Sequence, residues 1–248
     1  MRNPVFIPAL LAFLAVPLHA QETPRADSVT FNATLTSDYR YRGISQTRLQ
    51  PALQGGADWT HEPTGLYAGT WLSTIKWTKD AGGGGGVEWD LYAGKRGQLT
   101  GAVSYDVGVL GYVYPANGLD RVSGSADANT AELYGQLGYG PAYVKYSSAL
   151  TNLFGFTDSR RSGYLDVGAN VDVGNGFTLN VHAGRQDVRG HDAASYTDYK
   201  AGVTKDIGFA SLTAAFVGTN AGEIAYASPA NGKFLGRKAL VVSATKTF

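Results

Sequence analysis

From Ser28 onwards, apolar residues fall on every second position. Val29, Phe31, Ala33, Leu35 and Tyr39 share one face, while Thr30, Asn32, Thr34, Thr36, Asp38 and Arg40 share the other. A period of two is strand periodicity with a single apolar face. The same alternation returns in Leu53/Ala57/Trp59 against Gln54/Asp58/Thr60, and in Val87/Trp89/Leu91/Ala93 against Glu88/Asp90/Tyr92. It continues in Val103/Tyr105/Val107/Val109 against Ser104/Asp106, and in Leu133/Leu137/Tyr139 against Glu132/Tyr134/Gln136. Leu165/Val167/Ala169/Val171 then faces Asp166/Asn170/Asp172, and Phe177/Leu179/Val181/Ala183 faces Thr178/Asn180/His182. Segments at 66–76, 142–152, 196–206, 209–219 and 237–248 complete a series of about twelve strands.

The spacers add topology. Short links at His61 to Gly65, Lys95 to Thr100, Gly140-Pro141, Gly174-Asn175-Gly176 and Ile207-Gly208 carry tight-turn residues. They alternate with longer links at 42–50, 77–86, 115–129, 153–162, 189–195 and 220–236. One end of the sheet therefore has turns and the other has loops, the asymmetry of an outer-membrane barrel with short periplasmic turns and long extracellular loops. An even strand number places both termini on the periplasmic side.

A soluble sandwich buries its apolar face, whereas a membrane barrel turns that face to lipid and lines its lumen with the polar one. Strand length favours the membrane, because runs of ten or more residues suit a tilted crossing. Aromatics crowd the strand ends at Tyr39, Tyr41, Trp59, Tyr67, Tyr112, Tyr114, Tyr139, Tyr143, Phe177, Tyr196 and Phe209, as interfacial girdles do. The final strand closes on Phe248, resembling the signal read by the barrel assembly machinery, with Lys246 placed to snorkel at the interface. Ahead of the first strand, Arg2, an apolar stretch from Val5 to Val16, and Ala20 before polar Gln21-Glu22-Thr23 have the layout of a secretory signal peptide. The expected organisation is a leader over 1–20 and one all-β, antiparallel, up-and-down transmembrane barrel over 21–248.

Composition narrows the function. The 248 residues include 33 Gly, 15 Tyr and no Cys, and carry a formal net charge of +1. Absence of cysteine excludes disulfide frameworks, thiol catalysis and cysteine-based metal sites. Near-neutral charge argues against nucleic acid as a partner.

The segment Ser37-Asp38-Tyr39-Arg40-Tyr41-Arg42-Gly43-Ile44-Ser45-Gln46-Thr47 carries a resemblance, with Gln54-Gly55-Gly56-Ala57-Asp58-Trp59 and Gly65-Leu66-Tyr67-Ala68-Gly69-Thr70-Trp71. These, with Glu88-Trp89-Asp90-Leu91-Tyr92-Ala93-Gly94 and Tyr105-Asp106-Val107-Gly108, resemble the TorF-type porins of proteobacterial outer membranes. The likeness covers the first half of the chain; beyond about residue 115 it rests on the strand pattern and the last strand. It implies an outer-membrane barrel acting as a channel and supplies no catalytic or cofactor residue.

The expected lumen face carries Asp38, Asp58, Glu88, Asp90, Asp106, Glu132, Asp166, Asp172 and Asp198 against Arg40, Arg42, Lys145 and Lys200, with His182 among them. Acids in excess inside a narrow pore predict a mild cation preference. The competing reading is that these charges form ladders that fill and stiffen the barrel. His61, His182 and His191 lack a motif that would set a nucleophile and an orienting acid beside them, so an enzyme is not expected. Gly82 to Gly86 is not followed by the Lys-Ser/Thr of a phosphate loop and reads as a flexible hairpin loop. No metal or cofactor motif stands out.

The expected function is passive diffusion of small hydrophilic solutes or ions. The expected partners are outer-membrane lipid, the barrel assembly machinery and those solutes, with a homo-oligomer left open. Alternatives are a plugged barrel with a structural or adhesive role and a soluble exported β-protein.

Overall fold

The computed structural model describes residues 27–248. The leader expected over 1–20 lies outside the described residues. Strand β1 (Asp27–Thr36) is followed by a small inward hairpin, β2 (Arg40–Tyr41) and β3 (Ile44–Ser45). Next come β4 (Ala52–His61), β5 (Leu66–Thr74), β6 (Val87–Thr100), β7 (Val103–Val113), β8 (Thr130–Tyr139) and β9 (Ala142–Ala149). The chain ends with β10 (Gly163–Gly174), β11 (Phe177–Asp187), β12 (Tyr196–Asp206), β13 (Ser211–Thr219) and β14 (Ala239–Thr247).

All strands except β2 and β3 form one closed antiparallel barrel of twelve, each paired with its neighbour in sequence. Closure is made by β1 against β14, with Asn32 opposite Thr247 and Thr36 opposite Ser243. Closing the sheet removes both edges, so each strand is hydrogen-bonded to a neighbour on both sides. Turns and loops alternate as the spacing predicts. One detail differs: β6 runs to Thr100, so the turn is Gly101-Ala102 rather than Lys95 to Thr100. A register shift between Gln98 and Thr100 accommodates the extra length. Where β10 meets β11, Asn175 (φ 53) and Gly176 (φ 73) both take the left-handed conformation that a two-residue hairpin needs.

The apolar face points outward. Val29, Phe31, Leu35, Leu53, Leu91, Val107, Leu133, Val167, Leu179 and Leu240 are exposed, Leu35 by 60% and Leu53 by 63%. Glu88, Asp90, Asp106, Glu132, Lys145, Asp166 and Asp198 are buried inside. This inversion is the arrangement of a protein whose outer solvent is hydrocarbon, and it disposes of the soluble sandwich, in which the apolar faces would be covered. Among the described residues no helix is long and apolar enough to cross a membrane, and the crossing is made by strands.

The girdle needs correction. Trp59, Tyr139, Phe177 and Phe209 are exposed beside the short turns, as an interfacial belt requires. Tyr39, Tyr67, Tyr112, Tyr114, Tyr143 and Tyr196 are instead buried. Parity decides which is which: Tyr67, Tyr112 and Tyr143 share the inward phase of Ser73, Asp106 and Lys145 on their own strands. The strand-interior glycines explain how rings fit there. The position a Cβ would take on Gly108 is 2.6 Å from the Tyr134 hydroxyl, and that on Gly168 is 2.6 Å from the Tyr143 hydroxyl. Each ring thus lies across a glycine of the neighbouring strand, and a larger residue there would evict it.

Candidate functional site: an inward loop and a two-sided lumen

The loop from Ser37 to Pro51 does not extend β1. Asp38, Tyr39, Arg40 and Arg42 were expected on alternating faces of a strand; β1 instead ends at Thr36 and the chain turns into the barrel. The cause is local chemistry. Arg42 (φ 46) and Gly43 (φ 79) form the tip of the β2–β3 hairpin, and both have left-handed backbone. Gly43 tolerates this freely while Arg42 does so at a cost that its contacts offset. A Cβ on Gly43 would meet Thr219 Cγ2 at 2.6 Å and Asp198 Cβ at 2.8 Å, so the tip abuts the β12–β13 wall.

Arg42 ties that tip to two other strands. Its guanidinium donates to Glu132 Oε2 (2.7 Å, β8) and to Gln186 Oε1 (2.6 Å, β11), and lies over the Tyr164 ring at 4.2 Å. Burial alone would lower its pKa, but Glu132 beside it, with Tyr41 and Tyr112, holds the guanidinium well above its ordinary value and keeps it charged. Tyr39 donates to Glu88 Oε1 (2.6 Å) and packs edge-on against Trp71. Asp38 accepts from Ser45 (2.6 Å) and from Arg40 Nε (2.6 Å), and Arg40 reaches the carbonyls of Leu235 (2.9 Å) and Arg237 (3.0 Å) in the loop before β14. The hairpin is therefore clamped at its base and its tip.

Around it the lumen has two unlike sides. On β4 to β8 the inward carboxylates are met by phenols: Tyr92 donates to Asp58 (2.6 Å), Tyr67 to Asp106 (2.5 Å) and Tyr112 to Glu132 (3.2 Å). Asp90, 1% exposed, has neither carboxylate oxygen hydrogen-bonded. Arg96, which the acid-and-base reading omitted, donates to Thr60 (3.0 Å) and lies over the Tyr67 ring. On β11 to β14 and β1, short neutral groups dominate. Thr34 bonds Thr245 (2.8 Å), Thr204 bonds Asn180 (2.8 Å) and Thr213 (2.9 Å), and Asn180 bonds Asn170 (3.0 Å). Thin side chains leave room, and a cavity of about 250 Å³ lies against this side. A second, of about 130 Å³, lies under the hairpin, and a third, of about 490 Å³, opens above it between the long loops.

Between the two sides, β10 to β12 hold a third group. His182 sits between Asp166 (Nδ1–Oδ1 3.0 Å) and Asp198 (Nε2–Oδ2 3.2 Å), with Tyr143 and Tyr164 donating to the same two carboxylates. Lys145 and Lys200 face the cavity under the hairpin. Asp172 departs from expectation: it is exposed at the turn end of β10, where its carboxylate accepts the Gly174 amide (2.8 Å). The barrel's last residues before a tight turn lie beyond the enclosed lumen, so inward parity there does not bury a side chain. His61 pairs with Thr64 in its turn and His191 contacts the Thr157 carbonyl. The phenol caps went unforeseen, although inward Tyr92 and Tyr134 shared a face with acids in the alternation itself.

An apolar outer belt, a polar interior and a closed antiparallel wall define a transmembrane β-barrel of the outer-membrane type. Residues 20–248 match the model of the family described as Gcw_chp, a bacterial protein of unknown function, and the chain belongs to that family. The narrower TorF-type assignment does not emerge. No curated protein matches the chain. Among solved structures, the KdgM porin is similar with a TM-score of 0.54 at 5% identity, covering 89% of this chain and 97% of that one. The NanC porin is similar with a TM-score of 0.50 at 10% identity, covering 89% and 99%. At such identities the likeness is one of fold.

Proposed function

We propose that the protein is an outer-membrane channel for passive diffusion of small hydrophilic solutes or ions, and not an enzyme. The observation that carries this is a closed barrel whose polar lumen keeps cavities on both sides of the inward hairpin. Porins among the structures of similar fold support it. In this reading the leader over 1–20 directs export and is cleaved, Phe248 serves the barrel assembly machinery, and lipid contacts the outer belt. Planar-bilayer recordings of the purified protein test it: reproducible conductance steps are expected, and silence would refute the channel.

A mild cation preference belongs to the same proposal. Five inward acids on β4 to β8, Asp58, Glu88, Asp90, Asp106 and Glu132, outnumber Arg96 on the same strands, and that excess supports it. A salt-gradient reversal potential showing anion preference would remove it. The second reading is a plugged barrel with a structural or adhesive role, favoured by the hairpin that Arg42 fixes across the lumen. Whether barrels associate as homo-oligomers is a separate proposal, tested by native mass in detergent.

A further inference from the structure

Partnering of charges in the lumen is uneven. Six inward carboxylates, Asp58, Glu88, Asp106, Glu132, Asp166 and Asp198, each accept a tyrosine hydroxyl. Arg42 is satisfied by Glu132 and Gln186, and His182 by Asp166 and Asp198. Among the described residues, neither Lys145 nor Lys200 has a hydrogen bond or an ion pair within the protein. Lys145 is 7% exposed, and its ammonium rests 3.9 Å above the Tyr134 ring, a contact that leaves its N–H donors unfilled. A buried ammonium with no acceptor is costly unless something supplies one.

The two lysines meet at one place. Lys145 on β9 is opposite Asp166 on β10, and Lys200 on β12 is opposite His182 on β11, so the pair brackets the Asp166–His182 contact. Both line the cavity of about 130 Å³ beneath the hairpin, together with Ser147, Tyr143 and the polar edge of Arg40. Asp166, opposite Lys145 in the strand register, is already engaged by His182 and Tyr143. Lys200, Arg40, His182 and Tyr143 also line the neighbouring cavity, whose far wall carries Thr34, Thr204, Thr213 and Thr245. A ligand spanning the two cavities meets Lys145 and Lys200 at one end, beside Glu132 and Asp166, and neutral hydroxyls at the other.

We infer that Lys145 and Lys200 form a binding subsite for the carboxylate of a small, hydroxylated organic acid. Its body would lie along the threonine-lined side. The carboxylates beside the site oppose an anion, so the subsite depends on direct charge-assisted hydrogen bonds from the lysine protons, which have no other acceptor. The inference deepens the channel reading but can be tested without conductance.

The experiment is calorimetric titration of the refolded full chain in detergent at low salt, with gluconate as probe, glucose as the neutral control and inorganic phosphate as the competing anion. Gluconate is expected to bind at least about tenfold more tightly than glucose, and Lys145→Gln or Lys200→Gln to remove about that tenfold. Lys200→Arg is expected to retain most of it. Heat-modifiable gel mobility confirms that each variant is folded. Equal affinity for gluconate and glucose, or unchanged gluconate binding in both Gln variants, overturns the subsite. Phosphate binding more tightly than gluconate overturns the carboxylate assignment. A barrel that binds gluconate but never conducts sustains the subsite and refutes the channel, so the two failures are distinct.

Discussion

The side of the lumen built by β4 to β8 and the side built by β11 to β14 with β1 face each other across the same barrel, yet they solve burial differently. The first packs acids and phenols so that rings fill the width, with glycines such as Gly108 opposite to admit them. The second uses Thr, Ser and Asn bonded in short ladders and leaves space beside them. Both are polar faces of alternating strands, so polarity alone does not decide whether a lumen is open. Side-chain volume does, and the hairpin at Arg42 sits where the two regimes meet.

The sharpest way to break this contrast is to remove the tie between them. Arg42→Ala leaves Glu132 buried without its cation, and loss of such a partner costs about 3–5 kcal/mol. The melting transition in detergent should fall markedly, and any conductance should rise as the hairpin leaves the lumen. An unchanged single-channel amplitude would show that the hairpin does not limit flow. Gly43→Ala acts on the same element through the backbone, since its φ of 79 and the 2.6 Å approach to Thr219 penalise a side chain. A left-handed residue of that kind costs about 1–3 kcal/mol. It should move conductance in the same direction as Arg42→Ala, by less.

Smaller effects separate the sides themselves. Tyr67→Phe strips the donor from Asp106, and a hydrogen bond to a charged group contributes about 1.5–3 kcal/mol. Thr213→Ala removes a neutral bond to Thr204 worth about 0.5–1.5 kcal/mol. Thermal unfolding of the two variants should therefore rank the phenol side as the stiffer. An equal or reversed ranking would mean that the tyrosines fill volume without stabilising the carboxylates.

Much of this was open to reading from the chain itself. Period-two alternation placed Val29 to Leu35 outward and Glu88, Asp90, Asp106, Glu132 and Asp166 inward, because a strand's parity is fixed wherever one face must meet apolar solvent. The alternation of turns and loops gave topology, since adjacent antiparallel strands need only a few connecting residues. Parity failed where strands stop: Asp38 and Arg40 follow the alternation in sequence but belong to a hairpin, and Asp172 lies at the rim. An aromatic near a strand end is ambiguous in the same way, which is why Tyr67 and Tyr143 read as girdle residues although they are buried in the lumen.

The sequence by itself determined a twelve-stranded barrel and the two faces of its wall, because hydrophobic period and turn chemistry act within a few residues of one another. Only the tertiary structure decided which charges are partnered and which remain free. Glu132 finds Arg42 across 90 residues of chain and Asp198 finds Tyr164 across 34, while Lys145 and Lys200 make no hydrogen bond or ion pair among the described residues. Barrel closure and the inward hairpin set those distances, and neither leaves a mark in local periodicity.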